Sequence, residues 1–141
     1  MRVKKFVLDT NVWISYLITG REEELLKIKV SNKLSIFICE ELLTEIKRVL
    51  EYPQVKKYGI DLKEALRFVR SFTICVEISY PIRQYIPGDP DDNYIIALAL
   101  QTNSGFITSG DKHILSQRRN LEKSFKRLHI LIKAEFENKF K

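Results

Sequence analysis

Short apolar runs separated by longer amphipathic stretches constrain this chain more than any other feature. Phe6-Val7-Leu8, Leu34 to Cys39, Phe72 to Ile78, Gly105 to Thr108 and Leu128 to Ile132 have the length and character of buried strands. Between them, Val12 to Ile18 reads as a turn or two of helix. Glu22 to Val30 reads as a helix with acids at its start and lysines later, the order the helix dipole prefers. Glu40 to Glu51 places Leu42, Leu43, Ile46, Val49 and Leu50 on one helical face, and Pro53 ends it. Asp61 followed by Glu64 has the form of a capping box, opening a helix that buries Leu62, Ala65, Leu66 and Val69. Asp89-Pro90-Asp91-Asp92 reads as an N-cap, a proline at the first helical position and two acids in the first turn. Ile95 to Leu100 is apolar nearly all round and predicts a deeply buried helix. Such alternation indicates an α/β sandwich with a mainly parallel sheet. The loose connection is the polar, basic stretch 116–127, and a short amphipathic tail closes the chain.

At 141 residues the chain fits one domain, 1–141, and nothing in it approaches the roughly 18 apolar residues of a membrane span. The basic start before Phe6-Val7-Leu8 mimics a signal peptide, but Asp9 breaks the run too early, so a cytoplasmic protein is expected. Cys39 and Cys75 both fall in strand-like runs and read as small core residues in a reducing compartment. The net charge of +6 is carried entirely by residues 112–141, which hold nine Lys or Arg against three acids. A one-sided basic segment suits a polyanionic partner such as a nucleic acid; the plain alternative is a solvated basic face with no partner.

Parallel α/β sheets place ligands at the carboxyl ends of their strands. Asp9 stands at the end of the first strand and Asp111 three residues past the fourth. Asp92 shares a helical face with Ile95, Ile96 and Ala99, and therefore points inward. Glu45, between Leu42 and Val49, sits at the rim of its helix's apolar stripe. Each has a plainer reading taken alone: Asp92 as a helix-start residue, Glu45 as a surface glutamate, Asp111 as a turn residue. Together, four converging carboxylates repel one another and need a cation. An all-oxygen set fits Mg²⁺ or Mn²⁺ rather than zinc, and neither His113 nor His129 has zinc-ligand spacing. A hard divalent ion held this way can activate a water, bind a phosphate oxygen and stabilise a leaving alkoxide.

Four blocks then stand in order along the chain: Val7-Leu8-Asp9-Thr10-Asn11-Val12, Glu41-Leu42-Leu43-Thr44-Glu45-Ile46, Asp89-Pro90-Asp91-Asp92-Asn93, and Ile107-Thr108-Ser109-Gly110-Asp111-Lys112. In these the chain resembles PIN-domain proteins, especially the VapC-like toxins of prokaryotic toxin–antitoxin pairs. The resemblance implies a three-layer α/β/α sandwich with a five-stranded, mainly parallel sheet. It also implies a Mg²⁺- or Mn²⁺-dependent endoribonuclease, a homodimer, silenced by a small antitoxin protein. Carried over by position, Asp9, Glu45, Asp92 and Asp111 match the family's acidic quartet as metal ligands and catalytic groups, with Asp91 a stand-in for Asp92. Thr10, Asn11 and Ser109 match polar positions that orient ligands or water. Arg118, Arg119, Lys126 and Arg127 would hold the flanking RNA backbone, in a basic stretch longer than the turn the family leads one to expect. Ser109 stands where threonine is expected and His113 where an acid is common.

Two rivals follow from the same residues. Phosphoryl transfer through an aspartate nucleophile needs an aspartate two residues after Asp9, and position 11 is Asn. A PIN-fold module that binds RNA or a partner without turnover would have little use for four mutually repelling acids.

Overall fold

Residues 4–79, 81, 85 and 93–140 are described by a computed structural model. Its middle layer is a five-stranded sheet of β1 (Lys4–Leu8), β2 (Leu34–Ile38), β3 (Ile74–Cys75), β4 (Phe106–Thr108) and β5 (His129–Leu131). The spatial order is β3-β2-β1-β4-β5, and every pairing is parallel. From the central β1 the chain builds outward to β2 and β3 on one side, then crosses back to β4 and β5 on the other. The switch point therefore lies between β1 and β4, where the loops leaving the strands diverge and open a crevice.

Helices α1 (Thr10–Ile18) and α2 (Glu22–Asn32) link β1 to β2; α3 (Glu40–Leu50), α4 (Pro53–Lys56) and α5 (Leu62–Phe72) link β2 to β3. Helix α6 (Asn93–Thr102) precedes β4, α7 (Lys112–Ser116) and α8 (Arg118–Ser124) precede β5, and α9 (Lys133–Phe140) follows it. Helices cover both faces of the sheet, giving three layers. Phe6 and Val7 point to opposite faces, and both are fully buried. Phe106 stacks on Phe6 at 4.6 Å, while Phe136 and Phe140 of α9 meet Phe6 edge-on at 5.4 and 5.0 Å. As its composition predicts, α6 buries Ile95 through Ala99 completely, packing across β1 and β2. Of the predicted capping box at Asp61 the N-cap half forms, its carboxylate accepting from the Glu64 amide, while the Glu64 carboxylate pairs with Arg67. The expected cap at Asp89 to Asp92 lies outside the described residues.

Three expectations change. The run Phe72 to Ile78 is not one strand: α5 continues through Phe72, whose ring is buried and meets Trp13 edge-on at 6.1 Å. Only Ile74 and Cys75 pair as β3, with the Val76 amide adding one bond to the Ile38 carbonyl. Cys75 is consequently on an exposed edge, whereas Cys39 is buried, its thiol pushed up to about 12 by desolvation. The basic stretch 116–127 is mostly helical rather than a loose loop. Sparse anchors suffice for this: Ile114 and Leu121 are buried, and Phe125 packs at the core's margin.

Candidate functional site

Leu8 ends β1 in full burial, but the backbone ladder runs one residue farther, because the Asp9 amide donates to the Thr108 carbonyl at 2.9 Å. That bond fixes Asp9 at the carboxyl rim of the switch point. Asp9 also caps α1, with Oδ1 accepting from the Thr10 amide at 2.8 Å. Oδ2 accepts from the Ser109 hydroxyl at 2.7 Å. The same hydroxyl accepts from the Asp111 amide at 3.0 Å, so one buried oxygen ties the ends of β1 and β4 together. Asn11 Oδ1 accepts from the Gly110 amide at 2.9 Å and braces the same loop. Asp111 in turn caps α7 through Oδ1, which accepts from the His113 and Ile114 amides at 2.8 and 3.2 Å. The His113 ring stands 3.6 Å from that oxygen.

Helix α3 supplies Glu45 to the same crevice, at the rim of its buried stripe as the sequence predicts. Asp9, Glu45 and Asp111 line one cavity of about 480 Å³, together with Thr10, Asn11 and Tyr94. Asp9 is 3% exposed, and its carboxyl is held above the ordinary range. Burial is the main cause; the charges of Asp111 and Glu45 add to it, and the bonds from Ser109 and Thr10 oppose it. A cation in the cavity would reverse this balance. The buried Thr10 Oγ1, also on the cavity wall, has no hydrogen-bond partner among the described residues. An orphaned oxygen beside a carboxylate whose charge burial disfavours fits a hard, oxygen-seeking ion such as Mg²⁺ or Mn²⁺. Among the described residues, no three His, Cys, Asp or Glu side chains stand close enough to hold an ion. Asp92 lies outside those residues, and Glu45 is drawn into an ion pair with Arg48, one turn along α3.

Sequence reasoning missed Arg48 and Tyr94, both on the cavity wall. Arg48 was discoverable, since it stands three residues from Glu45 on a helix. Ile14, Ser15 and Ile18 complete the wall from α1 at helical spacing.

None of the four predicted backbone-holding cations lines the acidic cavity. Arg118 is held in a fork by Glu135 at 3.0 and 3.3 Å and lies 3.7 Å from Glu122, tying α8 to α9. Arg119 is exposed on α8. Lys126 and Arg127 precede β5, and the Arg127 carbonyl lies against Gly105 just before β4. In a parallel sheet this is the amino-terminal edge, the opposite end from Asp9 and Asp111. Any nucleic acid that Lys126 and Arg127 hold would therefore meet the protein at this far edge of the sheet.

A sequence profile of the PIN domain matches residues 5–113. No curated protein matches the chain. Among solved structures, a chain of the VapBC2 complex from Rickettsia felis, bound to a DNA fragment from its promoter, is similar with a TM-score of 0.58 at 14% identity. The match covers 91% of this chain and 98% of that one. The PIN domain endonuclease Utp24 is similar with a TM-score of 0.52 at 18% identity, covering 94% of this chain and 86% of its own. Among the described residues, no helix is long and apolar enough to cross a membrane.

Proposed function

The chain belongs to the PIN-domain family, and on that premise we propose that it is a divalent-metal-dependent endoribonuclease, the toxin of a toxin–antitoxin pair. The observation that carries this reading is the convergence of Asp9, Glu45 and Asp111, from three distant segments, on one cavity at the sheet's switch point. The likeness to a VapBC2 chain supports a toxin with an antitoxin partner, and the likeness to Utp24 supports a nuclease.

Asp9, Asp92 and Asp111 would hold the ion, with Glu45 as a fourth ligand or a group that positions water. Bound Mg²⁺ or Mn²⁺ would supply Lewis-acid activation and neutralise charge on the phosphate and the leaving oxygen. The remaining chemistry belongs to the chain. Ser109 and the Thr10 amide fix both oxygens of Asp9, so the carboxylate cannot rotate away from the cavity. Asn11 and Ser109 hold the Gly110-Asp111 turn, and with it the second carboxylate. Such supporting bonds set the orientation of metal-binding side chains.

The test is cleavage of RNA with Mg²⁺ or Mn²⁺, with EDTA and Asp9→Asn as controls. Cleavage should vanish in both, and activity surviving both would sink the metal mechanism. RNA binding undiminished in EDTA, with no cleavage under any metal, would instead favour a PIN-fold binding module without turnover.

A further inference from the structure

Lys126 and Arg127 share the far edge of the sheet with other cations. Extending the register two residues back from Phe6↔Phe106 and Phe106↔His129 sets Lys4 beside Ser104, and Ser104 beside Arg127. On the other side Lys4 pairs with Leu34, so Lys33 adjoins it. With strands about 4.8 Å apart, Lys33, Lys4 and Arg127 mark a row roughly 15 Å long. Lys126 extends it at one end. At its middle Lys4 and Lys139 both approach the Phe140 ring, at 5.0 and 5.9 Å.

All five of these side chains are exposed. None forms an ion pair among the described residues, whereas Arg21, Arg48, Arg67, Arg70 and Arg118 all do. The connections at this edge, Asn32-Lys33, Asn103-Ser104-Gly105 and Phe125-Lys126-Arg127-Leu128, contain no carboxylate. Lysines at such an edge can simply neutralise helix carboxyl ends. Lys5 does so, donating to the Thr102 carbonyl at 3.3 Å, and is therefore left out of the row. The others are exposed, and a stripe of cations free of ion pairs is the charge pattern that a phosphate backbone tracks.

We infer that the amino-terminal edge of the sheet is a docking surface for a nucleic-acid phosphodiester backbone, separate from the acidic cavity at the opposite edge. It goes beyond the nuclease reading, because it is tested by binding in EDTA with Asp9→Asn protein and stands whether or not RNA is cut.

The experiment replaces Lys4, Lys33, Lys126 and Arg127 by Gln together. A control replaces Lys27, Lys56, Lys57 and Lys63, so both variants have the same net charge. Affinity for a single-stranded 20-mer RNA is measured from 50 to 200 mM salt. Losing four phosphate contacts should lower the salt slope by about 3, so wild type loses about 50-fold more affinity than the edge variant over that range. The control should keep the wild-type slope. Duplex DNA of equal length shows which nucleic acid is taken, and a slope change on either supports the surface. Equal weakening by the control, no change in the edge variant, or competition by polyglutamate as strong as by RNA would overturn it. The last result would assign the edge to an acidic protein.

Discussion

Ser109→Ala is the most searching single perturbation of the site. The hydroxyl is fully buried, donates to Asp9 Oδ2 at 2.7 Å and accepts from the Asp111 amide at 3.0 Å. Alanine removes both bonds. A hydrogen bond to a charged group contributes about 1.5–3 kcal/mol and a neutral one about 0.5–1.5. Without metal Asp9 is pushed toward its neutral form, which weakens the first bond, and water partly replaces the second. The expected loss is therefore about 2 kcal/mol, read by urea unfolding in EDTA with an unchanged slope. The second signature is electrostatic. The Ser109 bond lowers the pKa of Asp9 against the push of burial, so its loss lets the pKa climb further. Binding a divalent ion requires the ionised carboxylate, so the pH midpoint for Mn²⁺ binding moves up. At neutral pH the affinity falls about 10- to 100-fold, the usual effect of losing a bond that orients a ligand. Ser109→Thr, which keeps the hydroxyl, should restore the midpoint. A stability loss below about 0.5 kcal/mol together with an unmoved midpoint would refute the role assigned to this hydroxyl.

Other outcomes follow from the same geometry. Asp111→Ser retains an oxygen to cap α7 and should unfold within about 0.5 kcal/mol of wild type, yet lose Mn²⁺ binding and cleavage; Asp111→Ala should lose about 1 kcal/mol as well. Glu45→Gln breaks only a surface pair with Arg48 and should cost at most about 1 kcal/mol by thermal unfolding, while RNA cleavage collapses; wild-type cleavage would remove Glu45 from the site. Leu121→Ala should cost about 2–5 kcal/mol in urea, because the side chain is buried beneath α8; a loss near zero would return this stretch to a loop. Burial holds Asp9 above its ordinary 3.8 in the metal-free fold, so its contribution is fully present below the unfolded value and is lost as pH rises through the folded one. Asp9→Asn should flatten that part of the stability–pH curve in EDTA, and superimposable curves would contradict the shift.

What could be read from the sequence depended on whether a signal was local. Asp9 was legible because a charged residue ends an apolar run, and Glu45 because its position on the helical stripe follows from 3.6-residue periodicity. That β1 neighbours β4, and so that Asp9 meets Ser109, is a tertiary fact with no local trace. Phe72 shows the limit of apolar runs. Nothing in Phe72-Thr73-Ile74-Cys75 marks where helix becomes strand, and a buried site against Trp13 decides it. Charge balance has a related limit. Arg118 looked available in a basic segment, but its partner Glu135 stands 17 residues farther on. A tally of charge along the chain sees neither that pairing nor the strand register that carries Lys126 and Arg127 to the far edge.

The structure also changes which acid carries the argument for catalysis. Four repelling carboxylates look pointless without a metal, yet two of them have another occupation. Asp9 caps α1 and Asp111 caps α7, and acids at helix amino ends are favoured whether or not an ion is present. A protein that had lost its activity could keep Asp111 for stability alone. Glu45 caps nothing. It stands mid-helix, facing a cavity lined by two other acids, and its partner is a mostly exposed arginine that contributes little to the fold. Folding alone gives weak reason for a carboxylate there, whereas a cation shared with Asp9 gives a strong one. The opposing demands on Asp9 point the same way. Its cap and its Ser109 bond favour the charged form, while burial and its acidic neighbours disfavour it, and a bound divalent ion would satisfy both sets at once.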